Sequence, residues 1–226
     1  MWLELIAVSF WGGIVAMDTT AALQIMISRP LVSCSIIGLL LGDFQLGLII
    51  GIFLELLWIN ELPVGAARFS EGNVGATAAA AIAITSKELT FREVPSMAFA
   101  LIFAVFISII GGYLVEYMRK INSKSFENLL KAKDLTFNKV FKTHVSGIGL
   151  AFLLGFFLTG TSLILIGKLL LPRIIAFIPE NYDKFFKPVG ISFLGVGCGV
   201  LIYMYIRNSK YWLLIFAGLF IGFLVF

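Results

Sequence analysis

Residues 97–118 read MAFALIFAVFISIIGGYLVEYM, twenty-two positions with Glu116 as the only charge. As a helix, at about 1.5 Å per residue, such a stretch crosses the roughly 30 Å hydrocarbon layer of a bilayer. Hydrocarbon offers a backbone no water to bond, so a segment of this kind must satisfy its amides internally and is read as a helix. The rest of the chain is of the same character. Of 226 residues, 60% are hydrophobic and 13% charged, with a mean hydropathy of +1.01. A soluble domain carries roughly 25% charged residues. Lipid must cover what a water-soluble core of this size could not hide. The fold class is therefore all-α, an integral membrane protein in a single membrane-embedded domain over residues 1–226.

Further apolar segments run from Trp2 to Met17, Leu31 to Leu41, Leu46 to Ile59, Val74 to Ile84, Ile148 to Leu171, Val189 to Ile206 and Tyr211 to Phe226. Those after Met97 are long and continuous, as full spans are. Those before it are short and interrupted by Gly, Pro and charged residues, which predicts half-helices or re-entrant hairpins. The stretch beginning with Met1 and Glu4 has no positive leader, so the first helix is expected to be retained. Cys34 and Cys198 stand far apart in apolar runs, without disulfide or metal spacing, and read as small buried hydrophobes. Trp58, Trp212, Tyr203, Tyr205 and Tyr211 fall near segment ends, where interfacial anchors sit.

The net charge of +4 is local. Between Arg119 and Lys142 lie seven basic residues against Glu127 and Asp134, leaving +5. So concentrated an excess argues against nucleic acid and places a basic loop, residues 119–143, in the cytoplasm. Arg207 and Lys210 then fall on the same side, and Pro172 to Pro188 on the outer one.

Ionisable residues in or beside the apolar runs gather in the first third: Asp18, Arg29, Asp43, Glu55, Glu61, Arg68 and Glu71. Each costs a few kcal/mol at mid-membrane unless paired or hydrated. Their clustering points to a polar cavity, although Arg29, Asp43 and Glu61 also suit ordinary helix ends. Glu55 stands deep in an apolar run and reads as a functional carboxylate, with a structural pair to Arg29 or Arg68 as the alternative. Gly38, Gly42, Gly47 and Gly51 form small-xxx-small pairs about Asp43, which suits close packing of two helices around a sharp turn. Gly75-Ala-Thr-Ala-Ala-Ala-Ala-Ile-Ala is a second small-residue face. His144 reads as an interfacial histidine. There is no Walker loop, dinucleotide fingerprint, HExxH pair or GxSxG elbow, hence no catalytic residue, cofactor or metal is assigned.

Met17-Asp-Thr-Thr-Ala-Ala-Leu-Gln-Ile-Met-Ile-Ser-Arg-Pro30, Ile37-Gly-Leu-Leu-Leu-Gly-Asp43, Gly51-Ile-Phe-Leu-Glu-Leu-Leu-Trp58 and Leu62-Pro-Val-Gly-Ala-Ala67 together resemble the IIC permease subunit of the mannose/fructose/sorbose family of the bacterial phosphotransferase system. The resemblance implies a permease of the bacterial inner membrane that moves a hexose or related amino sugar inward. It implies a IID membrane partner, soluble IIA and IIB phosphocarriers that phosphorylate the sugar, and a trimer of IIC-IID pairs. It places the sugar-site hairpins at about 18–84. Candidate sugar contacts are Glu55, Asp43, Asp18, Arg68 and Glu71, with Gly38, Gly42, Gly47, Gly51 and Gly65 shaping the backbone. Beyond Ala67 this chain departs from the family, which usually continues with an apolar residue, proline and aspartate. Here Arg68-Phe69-Ser70-Glu71 follows, with Glu71 in the place of the aspartate and Arg68 an added charge. That departure keeps open a second reading, a non-transporting scaffold or regulatory relative.

Overall fold

A computed structural model describes residues 2–60, 69–132 and 134–205. Glu61, Gly65, Arg68 and the Leu62–Ala67 motif lie outside the described residues, as do Trp212 and the terminal apolar segment with Arg207 and Lys210. Among the described residues all regular structure is helical. Helix α1 (Trp2–Ala16) runs on into a π-helical turn, Met17–Ala21; α2 (Pro30–Leu40) and α3 (Phe44–Trp58) follow. Then come α4 (Gly72–Thr90), α5 (Glu93–Leu130), and α6 (Phe137–Ser162), which continues through π-helical Leu163–Leu170 into α7 (Leu171–Phe177). A 3-10 segment, Glu180–Phe186, leads to α8 (Lys187–Tyr205).

Among the described residues, four continuous helical stretches are long and apolar enough to cross a bilayer: Trp2–Ala21, Glu93–Leu130, Phe137–Phe177 and Glu180–Met204. Helices α2 and α3, at 11 and 15 residues, are not. They form the short hairpin that the broken pattern predicts. Pro30 opens α2, where its missing N–H is no loss. Gly42, at φ +79°, closes it, and Asp43 N–H bonds back to Gly38 O at 2.8 Å. A left-handed residue at this point suits glycine and turns the chain sharply.

The two hairpin backbones touch. A Cβ on Gly47 would lie 2.5 Å from Cys34 O and 2.9 Å from Gly38 Cα; one on Gly51 would lie 2.8 Å from Pro30 O. Gly38 meets Asp43 O at 2.8 Å in the same sense. Lipid gives apolar helices little reason to associate, so close van der Waals contact of this kind carries the packing.

Helix α4 is the centre. Its residues from Val74 to Ser86 are buried, and it touches α1, α2, α3, α5, α6 and α7. The alanine run that suggested a short broken piece is thus a 19-residue helix that protein surrounds on all sides. Small side chains let six neighbours approach one axis, and a helix apolar all round belongs inside.

The basic stretch is not a loop. Helix α5 continues to Leu130 and α6 begins at Phe137, so only the connection between them is irregular. No Gly or Pro interrupts 113–130, and Glu116 pairs with Lys120 at 2.8 Å one turn on. Likewise the helix expected to end at Leu171 runs to Phe177. Two single residues differ as well. Cys198 is exposed on α8 while Cys34 is buried, and Trp58 is buried, packed on Gly72 instead of anchoring an interface.

Candidate functional site

The π-helical turn after α1 marks where the first span loses regularity, and residues 22–29 then run without helix. Leu23, Gln24 and Met26 hold positive φ angles of 71°, 54° and 67°. Such backbone is costly for residues bearing a Cβ and persists only where the surroundings impose it. Asp18 imposes it. Its carboxylate, 2% exposed, accepts Ile25 N–H at 2.8 Å and Ser28 N–H at 2.9 Å. Both oxygens are therefore engaged in folding the loop back on the helix end.

The loop delivers Arg29 to the head of α2, where Glu55 meets it. Arg29 Nε and one terminal nitrogen reach Glu55 Oε1 at 2.8 and 2.6 Å, while Oε2 accepts Leu31 N–H at 3.2 Å. One carboxylate from α3 thus neutralises the arginine and caps the first turn of α2. The structural pair weighed for Glu55 is thus present, with Arg29 as its partner.

Asp43 lies at the other end of the hairpin, about 22 Å from Trp58 along α3 at 1.5 Å per residue. Its Oδ1 caps α3 through Leu46 N–H at 3.1 Å, and Oδ2 takes Lys87 Nζ at 2.7 Å. Partial burial alone would raise its pKa, but the bonds from Lys87 and from Leu46 N–H outweigh this and hold it below the usual carboxylate range. Lys87 also pairs with Glu93 at 2.6 Å. Beside them Arg92 holds Asp183 and donates to Ile175 O and Ile178 O at 2.7 and 2.6 Å, tying the end of α7 to the start of α5.

Glu71 and the residues around it form a cleft with Thr19, Trp58, Ser70 and Asn73. Asn73 Nδ2 donates to Thr19 Oγ1 at 3.2 Å; Thr77 Oγ1 reaches Asn73 O at 2.8 Å and Ser33 Oγ at 3.1 Å. A polar track thereby ties the irregular end of α1 to α4 and α2. Phe69 and Glu71 rest on two glycines of α5. A Cβ on Gly112 would stand 2.5 Å from Phe69 O, and one on Gly111 would stand 2.7 Å from Glu71 Cβ. Glu71 is 2% exposed, and its N–H bonds Ser108 O at 2.9 Å.

The cleft brings an indole, a carboxylate, an amide and hydroxyls together, groups of the kind that bind polyols. The cleft measures about 20 Å³, room for about one water, so a sugar would enter only as its walls part. Of the candidates named from the sequence Glu71 lines this cleft, and Thr19, Trp58 and Asn73, which were not named as candidates, line it as well. All three were within reach, since each stands in or directly beside a quoted motif. Asp18 adjoins Thr19 in the chain, and Glu55 lies one turn before Trp58. Asp43 does not join them. Among the described residues no group of His, Cys, Asp and Glu is arranged to hold a metal.

Known proteins place this architecture. Residues 2–226 match the family model described as the PTS system sorbose-specific IIC component. The sorbose-specific EIIC component of Lacticaseibacillus casei is 30% identical over 86 residues, which is 38% of this chain and 31% of that protein. Its counterpart from Klebsiella pneumoniae is 27% identical over 149 residues, 65% of this chain and 53% of that one. The matched regions thus span about a third and about half of the lengths of these relatives. A solved structure described only as a membrane protein superposes with a TM-score of 0.74 at 22% identity, covering 98% of this chain and 87% of that one. The cryo-EM structure of the mannose transporter ManYZ with microcin E492 gives 0.59 at 20% identity, covering 98% and 86%. At these identities the two structures establish a shared fold. The match across the whole sequence establishes more: this membrane chain belongs to the sorbose-type IIC family of the sugar phosphotransferase system.

Proposed function

We propose that this chain is the IIC permease subunit of a sugar phosphotransferase system, carrying a hexose or related amino sugar inward as partner subunits phosphorylate it. The observation that carries the reading is the cleft of Thr19, Trp58, Glu71 and Asn73 at the junction of an interrupted span and a hairpin too short to cross the membrane. Interrupted helices of this kind are where transporters build substrate sites. The partners are a IID membrane subunit, soluble IIA and IIB phosphocarriers and, in the full assembly, a trimer of IIC-IID pairs. The ends of α5 and α6, with their concentration of lysines, face the cytoplasm of a bacterial inner membrane, and the cluster of Asp43, Lys87, Glu93 and Asp183 faces out.

Sugar-contact roles are assigned to Trp58, Glu71 and Asn73, and positioning roles to Asp18 and Glu55. A sugar-uptake screen in cells making this chain with its IID partner and the soluble carriers tests the proposal. One hexose or amino sugar should accumulate as its phosphate, and Asn73→Leu should reduce that uptake at least tenfold with the membrane complex still assembled. Uptake of no sugar by a correctly assembled complex would favour the scaffold reading instead.

A further inference from the structure

A groove of about 440 Å³ runs between α5 and α6, far larger than the cleft at Glu71. Residues 110, 114, 117 and 121 of α5, and 150, 154, 157 and 161 of α6, recur every three or four positions, so each helix turns one stripe to it. Ile110, Leu114, Leu153 and Phe157 are exposed, so the groove opens outward from the bundle. Tyr117 and Thr161 are its only polar side chains among the described residues, and Thr161 donates its hydroxyl proton to Phe157 O at 2.6 Å. Its depth is fixed by the sequence. Ile110 and Thr161 stand near the middle of the apolar runs 97–118 and 148–171, and Ile121 and Leu150 at their basic ends. From Ile110 to Ile121, as from Leu150 to Thr161, each helix rises about 16 Å, against roughly 15 Å of hydrocarbon in one leaflet.

A slot one leaflet long, apolar and open to the membrane takes either a neighbouring helix or a lipid chain. Helices that associate in lipid meet through small residues that bring backbones together. Elsewhere this chain does so, since Gly12 of α1 and Gly155 of α6 meet backbone to backbone. The groove has no glycine, alanine or serine in its lining, and its walls are leucine, isoleucine, methionine and aromatic side chains. An acyl chain, thin and flexible, suits it better. Charge decides which lipid. Lys124 lies three residues beyond Ile121, and Lys142 eight before Leu150, so both helical faces continue into lysines at the groove's basic end. Both lysines are exposed. Lys120 is already paired with Glu116, and Arg119 already lies against Phe69; neither is called on. We propose that the groove holds one acyl chain of an anionic phospholipid from the leaflet on the basic side, with the lipid phosphate at Lys124 and Lys142. A basic mouth between spanning helices is suited to such headgroups. The site rests on the membrane class of the chain and requires no transport, so it stands or falls separately from the permease reading. Its occupant would bridge α5 and α6 along their whole course through that leaflet.

The test uses the IIC-IID complex released from nanodiscs of equal phosphatidylglycerol and phosphatidylcholine, with retained lipid identified and counted by native mass spectrometry. The parent should keep phosphatidylglycerol in preference to phosphatidylcholine. Each lysine at an anionic headgroup strengthens binding about fivefold, so Lys124→Gln with Lys142→Gln should cut that preference at least tenfold. Both lysines are on the surface, and their loss leaves the fold intact. Leu153→Trp fills the groove and should lower retention of both lipids, whereas Ile102→Trp, equally exposed on α5 but outside the groove, should change neither. A photoreactive benzoylphenylalanine replacing Leu153 should capture lipid. Three results would overturn the site: a parent without preference for phosphatidylglycerol, a preference unchanged in the double lysine variant, or capture of a protein chain at position 153, which would make the groove a helix interface. Equal loss of lipid in Leu153→Trp and Ile102→Trp would likewise remove the groove from the argument and overturn it.

Discussion

Replacing Glu55 by Gln removes a charge and preserves shape, which isolates what the carboxylate does. In the structure it binds Arg29 through one oxygen and the α2 backbone through the other, with side-chain exposures of 17% for Glu55 and 28% for Arg29. Exposed pairs contribute about 0–1 kcal/mol, and breaking a fully buried one costs about 3–5 kcal/mol because the remaining charge is stranded. A pair at this depth lies between, so Glu55→Gln should destabilise by about 1–3 kcal/mol. At about 2–4 °C per kcal/mol for a chain of this size, that is a fall of several degrees in thermal midpoint. Adding Arg29→Gln removes the stranded cation and should recover part of the loss, with a coupling of about 1–2 kcal/mol in the four-variant cycle. The assay is thermal unfolding of the purified IIC-IID complex together with the yield of assembled complex. A double variant no better than Glu55→Gln alone would refute the pairing argument. An undiminished assembly with uptake reduced tenfold, about 1.4 kcal/mol, would return Glu55 to the sugar.

Gly47→Ala should collapse the yield of folded protein, because its Cβ would meet Cys34 O at 2.5 Å and neither hairpin backbone can yield without separating the helices; overpacking of this kind costs about 1–3 kcal/mol or more, read as monodisperse protein on size exclusion. Since the Asp43 carboxyl is held below its ordinary value, its contribution is complete above the unfolded-state pKa of about 3.9 and is lost as pH falls through the lower, folded value. Asp43→Asn should therefore lower the thermal midpoint at pH 6 and flatten its decline at strongly acid pH, and an identical acid profile for both proteins would contradict the assignment. A cysteine replacing Ser125, in a background lacking Cys34 and Cys198, should react with impermeant maleimide only after the membrane is opened; labelling of intact spheroplasts would invert the proposed orientation.

The membrane class and the broken character of residues 18–58 were legible because hydrophobic run length is a one-dimensional property. So was the hairpin, since Gly42-Asp43 interrupts the run and Gly38, Gly47 and Gly51 mark where backbones meet. Partnership was not. Asp18, Glu55 and Glu71 read alike as costly charges in apolar surroundings, yet one folds a loop, one neutralises Arg29, and one lines a cleft. Which of these a carboxylate does depends on groups brought from other helices. The role of α4 was hidden for a related reason, because alanine is equally at home on a packed core helix and on a short interrupted piece, and only six neighbours decide between them. The basic stretch misled because charge density suggests a loop, whereas its lysines, glutamate and leucines are good helix formers without a breaker among them.

Helix α5 has a mechanical consequence that follows from its length. Its 38 residues span about 57 Å, nearly twice the roughly 30 Å of hydrocarbon. Gly111 and Gly112, near its middle, are where Phe69 and Glu71 bear against it with almost no clearance. The rod thus has a bearing point beside the smaller cleft and an arm of about 27 Å from Gly112 to Leu130, which packs along α6. A pivot of about 10° at that bearing swings the arm's tip by about 5 Å, roughly the pitch of one helical turn. Because Phe69 and Glu71 bear on it with so little clearance, any outward shift of the segment that carries them would have to be taken up by α5 itself.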